Sequence, residues 1–141
     1  MKIILQRVSQ ASVTIENKIV GAIENGLLLL IGIAENDTEE DIDYLISKIV
    51  KIRIFNDENG KMNLDISQIN GDILAISQFT LFANTRKGNR PSFIDAGNPE
   101  KAKLFYELFI VKLKAALNKK IEQGVFGADM KVSLVNNGPV T

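Results

Sequence analysis

Leu27-Leu28-Leu29-Leu30-Ile31-Gly32-Ile33 offers water no polar side chain on either side. Successive strand residues point to opposite faces, so an exposed strand would alternate, and this one does not. It therefore reads as a central strand covered on both faces, the heart of a sheet. Even extended to Ala34, it is far too short to cross a bilayer. Upstream, Lys2 to Ser9 and Ser12 to Glu16 read as two strands separated by a Ser-Gln-Ala break. Ile19 to Ile23 follows the Glu16-Asn17-Lys18 turn, and Asn25-Gly26 turns the chain into the central run. The expected arrangement is an antiparallel meander.

Downstream, Thr38 with Asp41 three residues on forms a helix start of the capping-box kind, and Glu39, Glu40 and Asp41 suit the positive end of the helix dipole. Ile42, Leu45, Ile46, Ile49 and Val50 then recur at helical spacing. Asn56-Asp57-Glu58-Asn59-Gly60 reads as a turn before an extended piece at Met62 to Leu64; the alternating ligands of a calcium loop are missing. Asp72 to Phe82 reads as an apolar strand interrupted by Ser77, Gln78 and Thr80, leading into a polar loop from Asn84 to Asn98. Asn98 as N-cap and Pro99 at the first helical position open a second helix. Its expected apolar face is Leu104, Phe105, Leu108, Phe109, Leu113, Ala116 and Leu117. A last strand, Met130 to Val135, leads to Asn136-Asn137-Gly138-Pro139-Val140-Thr141.

Composition narrows the chemistry. A chain of 141 residues, 45% hydrophobic and without repeats or linkers, fits a single domain over residues 1–141. No basic segment precedes an apolar run at the start, so a soluble cytoplasmic protein is expected, with no membrane partner. There is no Cys, which excludes disulfides, thiolate nucleophiles and cysteine zinc sites. There is no His either, which removes Ser-His-Asp triads and histidine metal sites and leaves hydroxyls, Lys, carboxylates, backbone dipoles or the substrate's own groups. Seventeen basic and seventeen acidic residues cancel, so a nucleic acid would have to be met by a local patch rather than a global field.

Three places carry candidate chemistry. Ser77-Gln78-Phe79-Thr80 puts three hydrogen-bonding side chains at the end of an apolar strand, where they share one site only if a bulge or twist intervenes; ordinary polar strand residues are the competing reading. Gly138-Pro139 is either a plain turn or, with the bond in cis, a pair of parallel carbonyls aimed at a cation. Arg86, Lys87 and Arg90 beside Gly88 suit a phosphate-rich strand, or simply keep a loop in solution.

These motifs, together with Gln6-Arg7-Val8, Arg53 to Asn63, Arg90-Pro91-Ser92-Phe93 and Phe126-Gly127-Ala128-Asp129-Met130, stand in an order and spacing that resembles the D-aminoacyl-tRNA deacylase family over essentially the whole chain. The elements and the resemblance together point to an α/β fold: a mostly antiparallel, barrel-like sheet with two long helices, paired into a symmetric homodimer. The resemblance implies hydrolysis of the ester of D-aminoacyl-tRNA, with the Gly138-Pro139 bond in cis and inserted into the partner subunit's pocket. L-aminoacyl groups would be turned away by that rigid wall, and achiral glycyl-tRNA would be admitted. By the same likeness, Ser77, Gln78, Phe79 and Thr80 surround the ester. Arg7 braces the Gly138-Pro139 loop, and Phe126 and Met130 line the pocket of the terminal adenosine unless they are plain core residues. The adenosine 2'-hydroxyl takes part in catalysis, with Thr80 a positioner. No cofactor and no metal site are implied. Asn137 stands where the family commonly has Asp, and the chain stops at Thr141 where relatives commonly continue for a few apolar residues. The rival reading is a non-catalytic nucleic-acid-binding protein that uses the Arg86 to Arg90 loop; neutral net charge and the lack of aromatic-basic interleaving argue against it.

Overall fold

A computed structural model describes residues 1–141. Along the chain run β1 (Lys2–Ile15), β2 (Lys18–Ile23), β3 (Gly26–Gly32), α1 (Glu39–Ile49), β4 (Phe55–Asn56), β5 (Met62–Leu64) and β6 (Asp72–Ser77). A 3-10 turn (Phe79–Phe82), α2 (Pro99–Ala116), β7 (Ile121–Gln123) and β8 (Lys131–Asn136) complete the order. The main sheet has the order β2-β1-β3-β6-β7, with β8 added on β1, and curls into a near-closed barrel. All pairings of β1 are antiparallel, whereas β3-β6 and β6-β7 are parallel. The expected mostly antiparallel α/β architecture is present, with two corrections to its first third.

The two upstream strands are one strand of 14 residues, and the order is not that of a meander, because β1 lies between β2 and β3. Both departures have one cause. The first half of β1, Lys2 to Val8, pairs with β3, and its second half, Ala11 to Ile15, pairs with β2, while β8 lies along Val8 to Thr14. The Ser-Gln-Ala segment marks the exchange of partners, with an irregular register against β8 between Val8 and Gln10, rather than an end of the strand. β7, three residues long, has no counterpart among the expected strands.

β3 is buried on both faces, as its composition requires. Leu27, Leu29 and Ile31 join Ile73 and Ala75 of β6 in a core under the helices, while Leu28 joins Val8, Val13, Leu74 and Ile76 in a second core inside the barrel. Ile42, Ile46 and Ile49 of α1 pack on the first core. Asp41 Oδ2 accepts from the Thr38 N–H at 2.8 Å, closing the expected cap. On α2 the buried residues are Ala102, Tyr106, Phe109, Ile110 and Leu113; the expected face is widened toward Ala102, Tyr106 and Ile110, and Leu104 and Ala116 of that face are exposed. Phe105 and Leu108 pack partly buried against the same core, while Leu104 and Val111 stay exposed. No helix is long and apolar enough to cross a membrane.

Candidate active site

The end of β6 departs from the expected strand, and the departure builds the site. The strand stops at Ser77, and Phe79 to Phe82 form a 3-10 turn. This is the interruption that lets alternate residues share a mouth. Gly32 makes it possible: a Cβ there would stand 3.0 Å from the Phe82 ring and 3.1 Å from both Gln78 O and Leu81 Cβ. The Gln78 N–H still donates to Ile31 O at 2.7 Å, so the turn begins pinned to the central strand. The Gln78 amide donates to Thr80 Oγ1, tying the two polar side chains to each other. As first residues of a helical turn, Phe79 and Thr80 hold N–H groups that the turn's own ladder does not use.

Beside this turn opens a cleft of about 690 Å³, a size suited to a small-molecule site. Ile31, Ile76 and Ser77 form its base, Gln78 and Phe79 one side, and the Phe126 to Met130 segment another. The remaining side is the stretch from Phe93 to Pro99. It is held by the Gly97 N–H on Ile33 O at 2.8 Å and by the Asn98 N–H on Glu35 Oε2 at 2.8 Å. Those donors at Asn98, together with Lys101, keep the Glu35 carboxyl below its ordinary range. Behind the cleft, Ala75 O accepts from both the Tyr106 hydroxyl at 2.9 Å and the Gly124 N–H at 3.0 Å. Burial pushes the Tyr106 phenol far above its usual value, so it serves as a fixed donor.

Of the residues singled out from the sequence, Ser77, Gln78, Phe79, Phe126 and Met130 line this cleft, and Thr80 adjoins it through Gln78. Phe126 and Met130 are half-buried and pack on the two cores as well as lining the cleft. Arg86, Lys87 and Arg90 are exposed on a loop closed by paired backbone hydrogen bonds between Asn84 and Ser92, outside the cleft lining. Missed by sequence reasoning were Phe93, whose ring meets that of Phe79 edge-on at 5.1 Å, and the Glu35–Asn98 tie.

Arg7, Gly138 and Pro139 do not line the cleft of their own chain. Arg7 pairs with Leu27 at one end of β3 and Ser77 with Ile31 near the other, about 13 Å apart along the strand. The Gly138–Pro139 bond is cis. Buried Arg7 donates from Nε to Asn137 O at 2.7 Å and from Nη1 to Ile54 O at 2.6 Å and Asn56 Oδ1 at 3.3 Å. Its backbone accepts from the Asn137 N–H at 2.8 Å and donates to Val140 O at 3.1 Å. Every contact of Asn137 with Arg7 is through its backbone, so Asn in place of Asp leaves them intact. A Cβ at Gly138 would stand 2.6 Å from Val140 N and 3.3 Å from Arg7 Nη2.

Residues 4–141 match the D-Tyr-tRNA(Tyr) deacylase family. This chain belongs to that family. Among relatives of this deacylase chain, the D-aminoacyl-tRNA deacylase of Flavobacterium psychrophilum is 57% identical and that of Thermosipho melanesiensis 52%; each alignment covers all of this chain and 94% of the relative. A solved structure titled c-Myc DNA unwinding element binding protein superposes with a TM-score of 0.94 at 39% identity, over 99% of this chain and 95% of that one. A probable eukaryotic D-amino acid tRNA deacylase superposes with a TM-score of 0.84 over 97% and 94% of the two chains; at 16% identity it supports the fold alone.

Proposed function

We propose that the chain is a D-aminoacyl-tRNA deacylase that hydrolyses the ester between a D-amino acid and the terminal ribose of tRNA. The observation that carries this reading is the family match over nearly the whole chain, with the Ser77-Gln78-Phe79-Thr80 motif at the cleft. The chemistry asks little of the protein, because an aminoacyl ester is already activated; orientation, oxyanion stabilisation and a positioned water suffice. Asp129 is the only titratable side chain lining the cleft, and it is exposed and ion-paired with Lys131 at 2.9 Å. A strong protein base is therefore missing, which supports a role for the adenosine 2'-hydroxyl in activating the attacking water. The water oxygen bonds the ester carbon, the carbonyl oxygen takes the negative charge near the Phe79 and Thr80 N–H groups, and the ribose 3'-oxygen leaves with a proton. Ser77 and Gln78 hold the ester, Thr80 positions, and Phe126 and Met130 border the adenosine.

In this reading two copies pair, and the Gly138-Pro139 loop of one enters the cleft of the other. The distance between that loop and the cleft within one chain supports the cross-subunit arrangement. The two loop carbonyls hold the α-ammonium and the loop excludes an L side chain, so glycyl-tRNA, which has none, is a further substrate. Arg86, Lys87 and Arg90 meet tRNA phosphates. Aminoacyl-tRNA is cytoplasmic, and we expect the chain to act there.

The 39% identity to a protein titled as binding a DNA unwinding element favours one second reading, a non-catalytic nucleic-acid binder. Side-by-side hydrolysis of D-tyrosyl-tRNA and L-tyrosyl-tRNA by the purified chain separates the two. Release of only the D-amino acid is expected. Salt-steep binding without turnover of either would establish the binder instead.

A further inference from the structure

The Asn137-Gly138-Pro139 loop has no packing of its own to stiffen it, since all three residues are exposed. Under the proposed function, on which this inference rests, exclusion of an L side chain requires a loop that does not yield. Arg7 holds one side of it. The other side is closed by a side chain given no role so far. The Asn136 Oδ1 accepts from the Val140 N–H at 2.8 Å, and its Nδ2 donates to Val140 O at 3.1 Å and to Thr141 Oγ1 at 3.3 Å. The carboxamide thus pairs with Val140 as a second peptide would, joining the residue that enters the loop to the residue that leaves it. Such pairing needs a donor and an acceptor fixed on one short side chain. Asn supplies both, and Asp at neutral pH supplies acceptors only.

We propose that Asn136 is a positioning residue for stereochemical selection: its carboxamide closes the base of the Gly138-Pro139 loop, and the stiffness so gained is what turns L-aminoacyl groups away. Asn136→Asp is the sharper test than Asn136→Ala, because it keeps the size and one hydrogen bond while setting an anion against the Val140 carbonyl. The measurement is kcat/KM for L-tyrosyl-tRNA over that for D-tyrosyl-tRNA, in folded dimeric protein, for both variants with Pro139→Ala in parallel. A purely structural loss would lower both substrates together and leave the ratio alone. We expect the ratio to rise by at least roughly tenfold in both Asn136 variants, the worth of a single neutral hydrogen bond, since Asp forfeits the two bonds donated by Nδ2 and Ala forfeits all three. A ratio that rises for Pro139→Ala but not for either Asn136 variant overturns the role of Asn136 and leaves the gate standing. A ratio unmoved by Pro139→Ala removes the gate itself and this inference with it.

Discussion

Arg7 shows how much a single buried side chain can be asked to hold. Its guanidinium satisfies two backbone carbonyls on segments 47 and 130 residues away in the chain, and replacing it removes both bonds and leaves the carbonyl of half-buried Ile54 without its partner. Arg7→Met is expected to cost about 1–3 kcal/mol in urea denaturation and to raise hydrolysis of L-aminoacyl-tRNA relative to D. Lys would not restore this, since one ammonium cannot reproduce a planar fork reaching opposite partners. Thr80 is the contrasting case. Its hydroxyl accepts from the Gln78 amide and has no base beside it, so Thr80→Ala should slow turnover at saturating substrate without abolishing it. Abolition in a folded protein that still binds substrate would make Thr80 the nucleophile.

At the scale of elements, the 3-10 turn after β6 depends on a neighbour it never bonds through a side chain. Gly32→Ala would push a methyl group into Phe82, Leu81 and the Gln78 carbonyl, all within about 3 Å. Circular dichroism should show the secondary structure retained, while kcat falls by roughly tenfold or more as the Phe79 and Thr80 N–H groups, the proposed oxyanion donors, shift. Acid should act first on the start of α1 and the connecting loops. The Thr38 N–H holds the Asp41 carboxyl below its ordinary 3.8, the Lys61 and Asn59 N–H groups do the same for Asp57, and Asn98 does so for Glu35, ordinarily 4.5. Each carboxylate is stabilised only while charged, so its contribution is full above about pH 4.5 and is lost as pH falls through the depressed native values. Melting temperatures followed downward from pH 5 should therefore drop, and Asp41→Asn should flatten that drop.

What was legible in the sequence divides along the same lines. Local signals read well: the Thr38/Asp41 cap, the Asn98-Pro99 start and the turn that ends at Gly60 are each decided by residues within one turn of chain, although Asn56 proves to belong to β4 and the turn itself to Asp57 to Gly60. The end of β6 was not legible, because Ser, Gln, Phe and Thr are all compatible with a strand, and the room for the turn comes from Gly32, 45 residues before Ser77. The face of α2 was legible in part: Phe105, Leu108, Phe109, Leu113 and Leu117 meet the core as expected, whereas Ala102, Tyr106 and Ile110 were not foreseen and Leu104 stays exposed. The cleft residues were named by motif, but the Phe93 to Pro99 side depends on ties to Ile33 and Glu35 that no spacing announces.

For the whole molecule, the separation of the Gly138-Pro139 loop from the cleft can be tested by mixing subunits. Gln78→Ala impairs the cleft and leaves the loop intact; Pro139→Ala does the reverse. In a mixed dimer the one intact cleft faces the one intact loop, so selectivity returns. The L-over-D ratio of the Pro139→Ala protein should fall when excess Gln78→Ala protein is exchanged into it. If loop and cleft serve the same chain, mixing changes nothing.

β1 takes three partners, and the last of them is made at the far end of the chain: β8 lies on Val8 to Thr14 from residues 131 to 136. During synthesis the flank of β1 must therefore wait, unpaired, while more than a hundred residues are added between the two strands. Arg7 waits with it, its carbonyl partner at Asn137 not yet made. The nascent polypeptide thus exposes an open strand edge beside a half-built core, a period in which it is vulnerable to mispairing with other chains on the same polysome. Synthesis of β8 and the residues that follow it closes that edge and brings the Gly138-Pro139 loop against Arg7, so the oldest strand and the youngest loop become ordered together.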